Sequence, residues 1–455
     1  MDTNRAELTE ASASRAPRRS QPTPGQRLQI DRAATVALLL VFLLVVAPAF
    51  GTGQSADLLA VWNAGLALAS GMPSEVYPPT SSPFTMMPPA SWLERMHADG
   101  LSDEVYPFLY PPLWAWAMSK LTGFASFETV ASVARVVNAM LLPATVLLAH
   151  RIAAPAMARW LFLLLGMIVV MLPPVGVVAM FQNQPQILVS FLTVLALERA
   201  MRGHERTAGL ALAVAAAIKV YPVLLAVLWL ARGRFRAVGT FALAGAALGI
   251  ASVAAAGWPL HATFLELISV ISHSVLVTQL SYTIDAGLAQ IAMPELLTFI
   301  QAPDDPGIEG QAFGWFVMAE PGAMSLAGQI AQVGALALFA RMLMRRPGDA
   351  AEAAIWPLAM MVLALLGPVS WGYHYIAPLA FAPMIFDRLG ARPAIGLLLA
   401  GALLLSAGSR LAGDLPWPVV PRQVVGLAGL LCIAAAFALV RRRSSRSAAL
   451  SSGSS

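Results

Sequence analysis

The sequence predicts an all-α polytopic membrane protein, on three observations. Of its 455 residues, 58% are hydrophobic and 12% charged, where a soluble domain carries about 25% charged residues. The mean hydropathy is +0.71. The apolar residues gather into runs near 33–50, 127–149, 156–175, 184–201, 207–219, 220–232, 237–257, 324–344, 352–369, 375–387, 393–409 and 421–440, with a shorter one at 107–121. If the twelve longer runs each cross once, the basic clusters Arg15/Arg18/Arg19, Arg151/Arg159, Arg199/Arg202/Arg206, Arg232/Arg234/Arg236, Arg341/Arg345/Arg346, Arg388/Arg392 and Arg441 to Arg443 all fall on one side. Basic loops stay cytoplasmic, so both termini are expected inside. The isolated Arg410 and Arg422 then lie outside.

Taken in order, residues 1–32 are rich in Arg, Ser, Pro and Gln and are expected to be a disordered cytoplasmic tail. Ala47-Pro48-Ala49 imitates a cleavage site, but the long tail and apolar core before it favour an uncleaved first helix. Residues 33–440 form one transmembrane domain, and 441–455 a second disordered tail. Within the domain, 51–126 is the first exterior loop. Its segment 107–121, opening Pro107-Phe108, is left over by parity and is expected to be re-entrant or interfacial. The runs 207–219 and 220–232 are each too short for a crossing of ~30 Å. They are expected to form a hairpin of half-length helices with Lys219-Val220-Tyr221-Pro222 near its tip. The second large exterior loop, 258–323, carries Trp258-Pro259 and the acids Asp304, Asp305 and Glu309, and has no Lys or Arg.

Composition also bounds function. The net charge of +5 comes from clusters between apolar runs, so it is a topology signal rather than a nucleic-acid footprint. The single Cys432 permits no intrachain disulfide. No metal-ligand spacing, P-loop, nucleotide fingerprint or nucleophile elbow is present, and no cofactor or metal is expected. An active site on the exterior face has no access to nucleotide sugars or ATP, so an activated donor there would be lipid-linked.

Several residues stand where chemistry would need them. Asp57, in Ser55-Ala56-Asp57-Leu58-Leu59-Ala60-Val61-Trp62, follows directly on the first apolar run. It reads either as a helix cap or as a general base at the lipid–water boundary. His374, in Ser370-Trp371-Gly372-Tyr373-His374-Tyr375, lies on the same side. It is either a partner in proton abstraction or part of an aromatic belt. Lys219 and Arg135 are cations at membrane depth, fit to hold a lipid phosphate or else to snorkel. The amides of Gln182-Asn183-Gln184-Pro185-Gln186 suit sugar hydroxyls or a hydrated turn. Trp62, Tyr77, Tyr110, Tyr221 and Trp371 are the aromatic candidates for sugar or acceptor.

The order of these motifs resembles a known family. Asp57 after the first helix is followed by Tyr77-Pro78-Pro79, Phe108-Leu109-Tyr110-Pro111-Pro112-Leu113 and Asn183-Gln184. Ala215-Ala216-Ala217-Ile218-Lys219-Val220-Tyr221-Pro222 and Ser370-Trp371-Gly372-Tyr373-His374 complete the series. Together they resemble glycosyltransferase family 87, integral membrane mannosyltransferases that use polyprenyl-phosphate mannose and have the C-type glycosyltransferase fold. The resemblance runs from about residue 35 to about 440. It implies Asp57 as catalytic base, and it places the family's late-loop His on His374 and its Lys-x-x-Pro on Lys219 to Pro222. Where the family often has Gly-Gln-x-Asn, this chain has Gln182-Asn183-Gln184-Pro185.

The expected activity is transfer of a single hexose, mannose, with inversion, from a polyprenyl phosphate to a hydroxyl of a glycolipid or polysaccharide, at the outer face of the plasma membrane. Two alternatives stand beside it. A lipid or polysaccharide transporter would want ionisable residues along several crossings and an internal repeat. A ligase using a lipid-diphosphate donor would want more exterior basic residues.

Overall fold

A computed structural model describes residues 23–51, 55–98, 104–302, 314–411 and 420–452. The cluster Arg15/Arg18/Arg19 and the acids Asp304, Asp305 and Glu309 lie outside the described residues. The chain is mostly helical. Five helices are long and apolar enough to cross a membrane: Pro24–Phe50, Phe127–Ala153, Phe235–Ala256, Gly322–Met344 and Arg422–Ser444. The pair Arg159–Val170 and Pro173–Phe181, bent by 76° at its break, makes a sixth if it is counted as one span.

Of the twelve crossings expected from the sequence, length and composition of the described helices support five, or six with the bent pair. At 1.5 Å per residue a crossing needs about 20 residues, and several apolar runs are broken into shorter pieces. Glu205–Ile218 has 14 residues and Val223–Arg232 has 10. Their break falls at Lys219-Val220-Tyr221-Pro222, where Lys219 is extended and Pro222 opens the next helix. Asp349–Leu365 has 17 residues, most of them buried. A stretch can thus be apolar because protein surrounds it rather than lipid, and hydropathy alone does not separate the two.

The expectation of an all-helical chain also needs correction. The stretch expected to be the second exterior loop holds a three-stranded antiparallel sheet in the order β1-β3-β2, with β1 at Ser274–Val277, β2 at Thr298–Gln301 and β3 at Gly314–Ala319. Central β3 is Gly-Trp-Phe-Val-Met-Ala, an aromatic and β-branched run that favours a pleated surface. Four to six residues are too few for such runs to stand out among apolar helices.

Within the expected tails, residues 24–32 and 441–452 are helical, and the remaining residues but Thr23 lie outside the described ones. The first helix begins at Pro24, inside the 1–32 tail, because Thr23 and Gln26 form a capping box and Pro24 takes the first helical position. Asp31 accepts from Arg159 Nε at 2.8 Å, which anchors this helix to its neighbour. The last helix, Pro421–Ser452, continues past 440.

Two buried carboxylates tie the basic end of the molecule together. Glu198, fully buried, pairs with Arg151 at 3.0 Å and also with Arg199 and Arg202. Glu352, fully buried, accepts from Arg232 at 2.6 Å and from Arg234 at 2.8 Å. Several of the arginines that fix topology in the sequence thus also fasten helices.

The apolar side chains form two main cores. One gathers the spanning and buried helices around Leu142, Trp229, Trp356 and Phe381. The other lies among the elements of 56–121 and 258–319 around Leu59, Trp92, Phe108 and Val317. Within 107–121, Pro112–Leu121 is a ten-residue helix packed on Ala56–Ala69. Their approach needs Gly65, since a Cβ there would lie 2.8 Å from Met118 Cγ. The site described next lies at the seam between the cores.

Candidate active site

The Ala56–Ala69 helix starts against the turn 181–184. Ser55, left-handed at φ 53°, donates its N–H to Phe181 O at 3.1 Å and makes no side-chain cap. Asp57 N–H donates to Gln182 Oε1 at 3.2 Å, and Leu58 N–H to Gln182 O at 3.3 Å. The first-turn donors are thus met by Gln182, which leaves the Asp57 carboxylate out of the capping role weighed for it. That carboxylate sits at the positive end of a helix dipole, a favourable place for an anion.

Asp57 opens onto a cavity of about 360 Å³ whose polar wall also includes Tyr106, Tyr110, Lys219, Tyr373 and His374. Asp57 Oδ2 accepts from Gln184 Nε2 at 2.6 Å, and Tyr110 Oη donates to Gln184 Oε1 at 2.7 Å. Burial raises the Asp57 pKa to about 6, against the opposing pull of the Lys219 ammonium and the Gln184 N–H. Lys219 Nζ sits 5.0 Å from the Tyr373 ring centre and 5.4 Å from that of Tyr110, on their electron-rich faces. Among the described residues it makes no ion pair within 4.0 Å.

His374 is held by its own turn. The Trp371 backbone N–H donates to His374 Nδ1 at 2.9 Å, so the proton of the neutral ring resides on Nε2. Burial, and then the Lys219 charge, push its pKa well below the ordinary value, which keeps the ring neutral. Nε2 lies 3.2 Å from Lys219 Nζ. An ammonium and a ring N–H so placed are two donors side by side, and an anion seated against both satisfies both. Tyr221 stands edge-on to His374 at 5.7 Å, and its hydroxyl accepts from Gln186 at 2.6 Å. Burial keeps Tyr106, Tyr110 and Tyr373 protonated.

Six of the sequence candidates therefore converge on one cavity: Asp57, Lys219, His374, Tyr110, Tyr221 and Trp371. The other five do not line it. Trp62 packs against Phe127 at 5.9 Å in the second core. Tyr77 donates to Tyr110 O at 2.8 Å and supports that residue from behind. Asn183 turns inward to Ser55 Oγ, Ala131 O and Asn138. Gln184 is fully buried behind Asp57. Arg135 stands on the Phe127–Ala153 helix with its Nε buried and without a hydrogen-bond partner. Sequence reasoning missed Tyr106 and Tyr373 as residues of the cavity wall. Tyr106 precedes a proline as Tyr77 and Tyr110 do, which was the available signal.

Away from the polar wall the cavity is apolar. Leu224 and Leu225 of the half-length helix, Met360 and Leu363 of Asp349–Leu365, and Phe264 and Ile268 of the exterior helix Trp258–Ser272 line it. Gln332 contributes from the Gly322–Met344 span, of which 6% of the apolar window is buried, so the cavity reaches a helix whose other side faces outward. Phe84 and Met86 close it from the first exterior loop. Among the described residues no group of three or more His, Cys, Asp or Glu gathers to hold a metal.

The model of glycosyltransferase family 87 matches residues 108–319, which include Tyr110, Gln184, Lys219 and Tyr221. That match spans 212 of the 455 residues and makes the chain similar to glycosyltransferase family 87 over this stretch. The chain is an enzyme that transfers a sugar from a donor to an acceptor, built on membrane helices. Comparison with curated proteins finds no match. The matched span begins after Asp57 and ends before His374, so those two join the cavity through the fold described above.

Proposed function

We propose that this glycosyltransferase moves a single hexose, mannose, from a polyprenyl phosphate to a hydroxyl of a glycolipid or polysaccharide. The reaction takes place at the outer face of the plasma membrane and inverts the anomeric centre. One observation carries the reading: a single cavity joins a buried carboxylate and an ammonium–imidazole pair to apolar walls that reach a span-length helix. That combination suits an amphipathic donor with an anionic junction between sugar and lipid. The outward placement rests on the basic clusters gathering at the opposite end of the helices.

In this mechanism Asp57 Oδ1 takes the proton of the acceptor hydroxyl as its oxygen attacks the anomeric carbon. The bond from that carbon to the phosphate oxygen breaks, and its electron pair leaves on the phosphate. The polyprenyl monophosphate gains charge as it departs, and the Lys219 ammonium and His374 Nε2–H stabilise that charge. His374 accordingly acts as a donor to the leaving group and not as the proton acceptor first considered for it, since its other nitrogen is occupied. Tyr221 and Trp371 border the space left for the sugar.

The test is transfer by purified enzyme in nanodiscs given a radiolabelled polyprenyl-phosphate mannose and a glycolipid acceptor, without any nucleotide sugar. Labelled product with inverted configuration is expected. Consumption of a nucleotide sugar or a lipid diphosphate instead, or movement of the lipid without product, refutes the reading.

A further inference from the structure

Gln184 is fully buried and is not on the cavity wall, although Asp57 in front of it is. Its side-chain oxygen accepts twice, from Tyr110 Oη at 2.7 Å and from the Gln186 backbone N–H at 3.2 Å. Two donors on the oxygen fix which end of the amide is which, and the amide nitrogen then points to Asp57 Oδ2 at 2.6 Å. Tyr110 is itself held by Tyr77, whose hydroxyl donates to the Tyr110 carbonyl at 2.8 Å.

We propose that Gln184 is a positioning residue for the transfer: its amide occupies Oδ2 of Asp57, so that Oδ1 alone is left to take the acceptor proton. The chain Tyr110 Oη–H to Gln184 Oε1, then Gln184 Nε2–H to Asp57 Oδ2, runs in one direction only. A donor fixed on Oδ2 favours the ionised carboxylate in a site whose burial opposes ionisation. It also prevents the carboxylate from rotating, which matters because general-base catalysis needs the acceptor proton within hydrogen-bond reach of a set oxygen. The inference rests on Asp57 being the base and adds to it the group that holds the base ready. The charged and titratable groups that face Asp57 are Lys219, Tyr106, Tyr110 and Tyr373, with His374 beside Lys219. Of these Asp57 is ionised at neutral pH, while burial lowers the Lys219 pKa to about 7 against the opposing pull of the Asp57 carboxylate.

The experiment is the pH profile of kcat for wild type, Gln184→Met and Tyr110→Phe, in nanodiscs with polyprenyl-phosphate mannose, beside a melting curve in detergent. Removing the amide donor raises the Asp57 pKa, so the acidic limb of Gln184→Met is expected to move to higher pH. Its rate near pH 6 should fall by about tenfold or more, with partial recovery near pH 7, since one pKa unit is a factor of ten in protonation and the Lys219 ammonium is lost at higher pH. Tyr110→Phe keeps the amide and one of its two anchors, and is expected to move the limb in the same direction by less. An unmoved limb with a raised KM would mean that Gln184 touches substrate, and would overturn the proposal. So would a lower melting temperature with an unmoved limb in the enzyme that remains folded. Should Gln184→Met yield no folded protein, Tyr110→Phe alone decides: an unmoved limb overturns the proposal. Near-normal turnover in Asp57→Asn would instead remove the base itself, a failure of the proposed function and separate from these outcomes.

Discussion

Replacing Lys219 by Met removes the one ammonium in the cavity and keeps a chain of similar length. The Lys219 ammonium forms no ion pair with a protein carboxylate among the described residues, and it rests between two aromatic faces and His374. Unit charges about 4 Å apart interact by about 4 kcal/mol at an effective dielectric of about 20. Lys219 is half-buried beside an open cavity, so we halve that figure to about 2 kcal/mol per phosphate charge. A donor phosphodiester carries one charge and the departing monoester approaches two. The first charge is felt on binding and the second only as the bond breaks. Each should therefore be worth a factor of about 30, one in KM for the donor and one in kcat. Lys219→Arg, which keeps the charge at altered geometry, should retain part of both. Steady-state kinetics over donor concentration in nanodiscs reads the two parameters apart. A Met variant that loses folded protein but shows normal kcat and KM in what survives would refute the phosphate role.

Asp57→Asn should lower kcat by about 10²–10⁴-fold, the usual worth of a general base, with donor binding kept; retention of near-normal turnover excludes the role. Because burial lifts the Asp57 pKa to about 6 and the base works ionised, wild-type kcat should fall as pH drops through 6. A profile that is flat from pH 5 to 7 contradicts this. Glu352→Gln strands Arg232 and Arg234 beside a neutral amide at a buried site, and should cost about 3–5 kcal/mol in a reversible detergent-titration unfolding experiment. A loss below about 1 kcal/mol would mean that the clamp contributes little. Ser81→Cys and Thr207→Cys, both at exposed positions and each in a Cys432→Ser background, should label oppositely with an impermeant reagent on intact cells. Ser81→Cys is expected to react before lysis and Thr207→Cys only after it, and the reverse order overturns the topology.

The candidate cluster was more legible in the sequence than the architecture around it. Asp57, Lys219 and His374 were readable because each is an ionisable group next to an apolar run, where a charge needs a reason. Their convergence depends on long-range packing that spacing does not encode. Trp62 and Tyr77 carry the same aromatic signal as Tyr110, yet which ring faces the cavity is set by helix rotation and by the Tyr77–Tyr110 hydrogen bond. Asn183 and Gln184 are neighbours in one polar run. Asn183 takes the left-handed φ of 47°, which sends its amide toward Asn138 while Gln184 meets Asp57. Glu198 and Glu352 gave no signal as partners, because the arginines that surround each come from separate parts of the chain as well as from adjacent positions. The short strands were hidden because an apolar run of four residues has no distinguishable period.

The closure of the cavity by Phe84 and Met86 depends on both outer loops at once. Phe84 N–H donates to Ser274 Oγ at 2.9 Å, and Trp315 Nε1 donates to Thr85 O at 2.8 Å, so the first loop is hooked onto β1 and β3 of the second. A chimera that exchanges one loop with a relative would sever hydrogen bonds whose other halves stay behind in the host. In evolution, as in engineering, the stretches around 80–90 and 274–319 are then constrained to change as a pair, and any selectivity they confer would be inherited by both together or by neither.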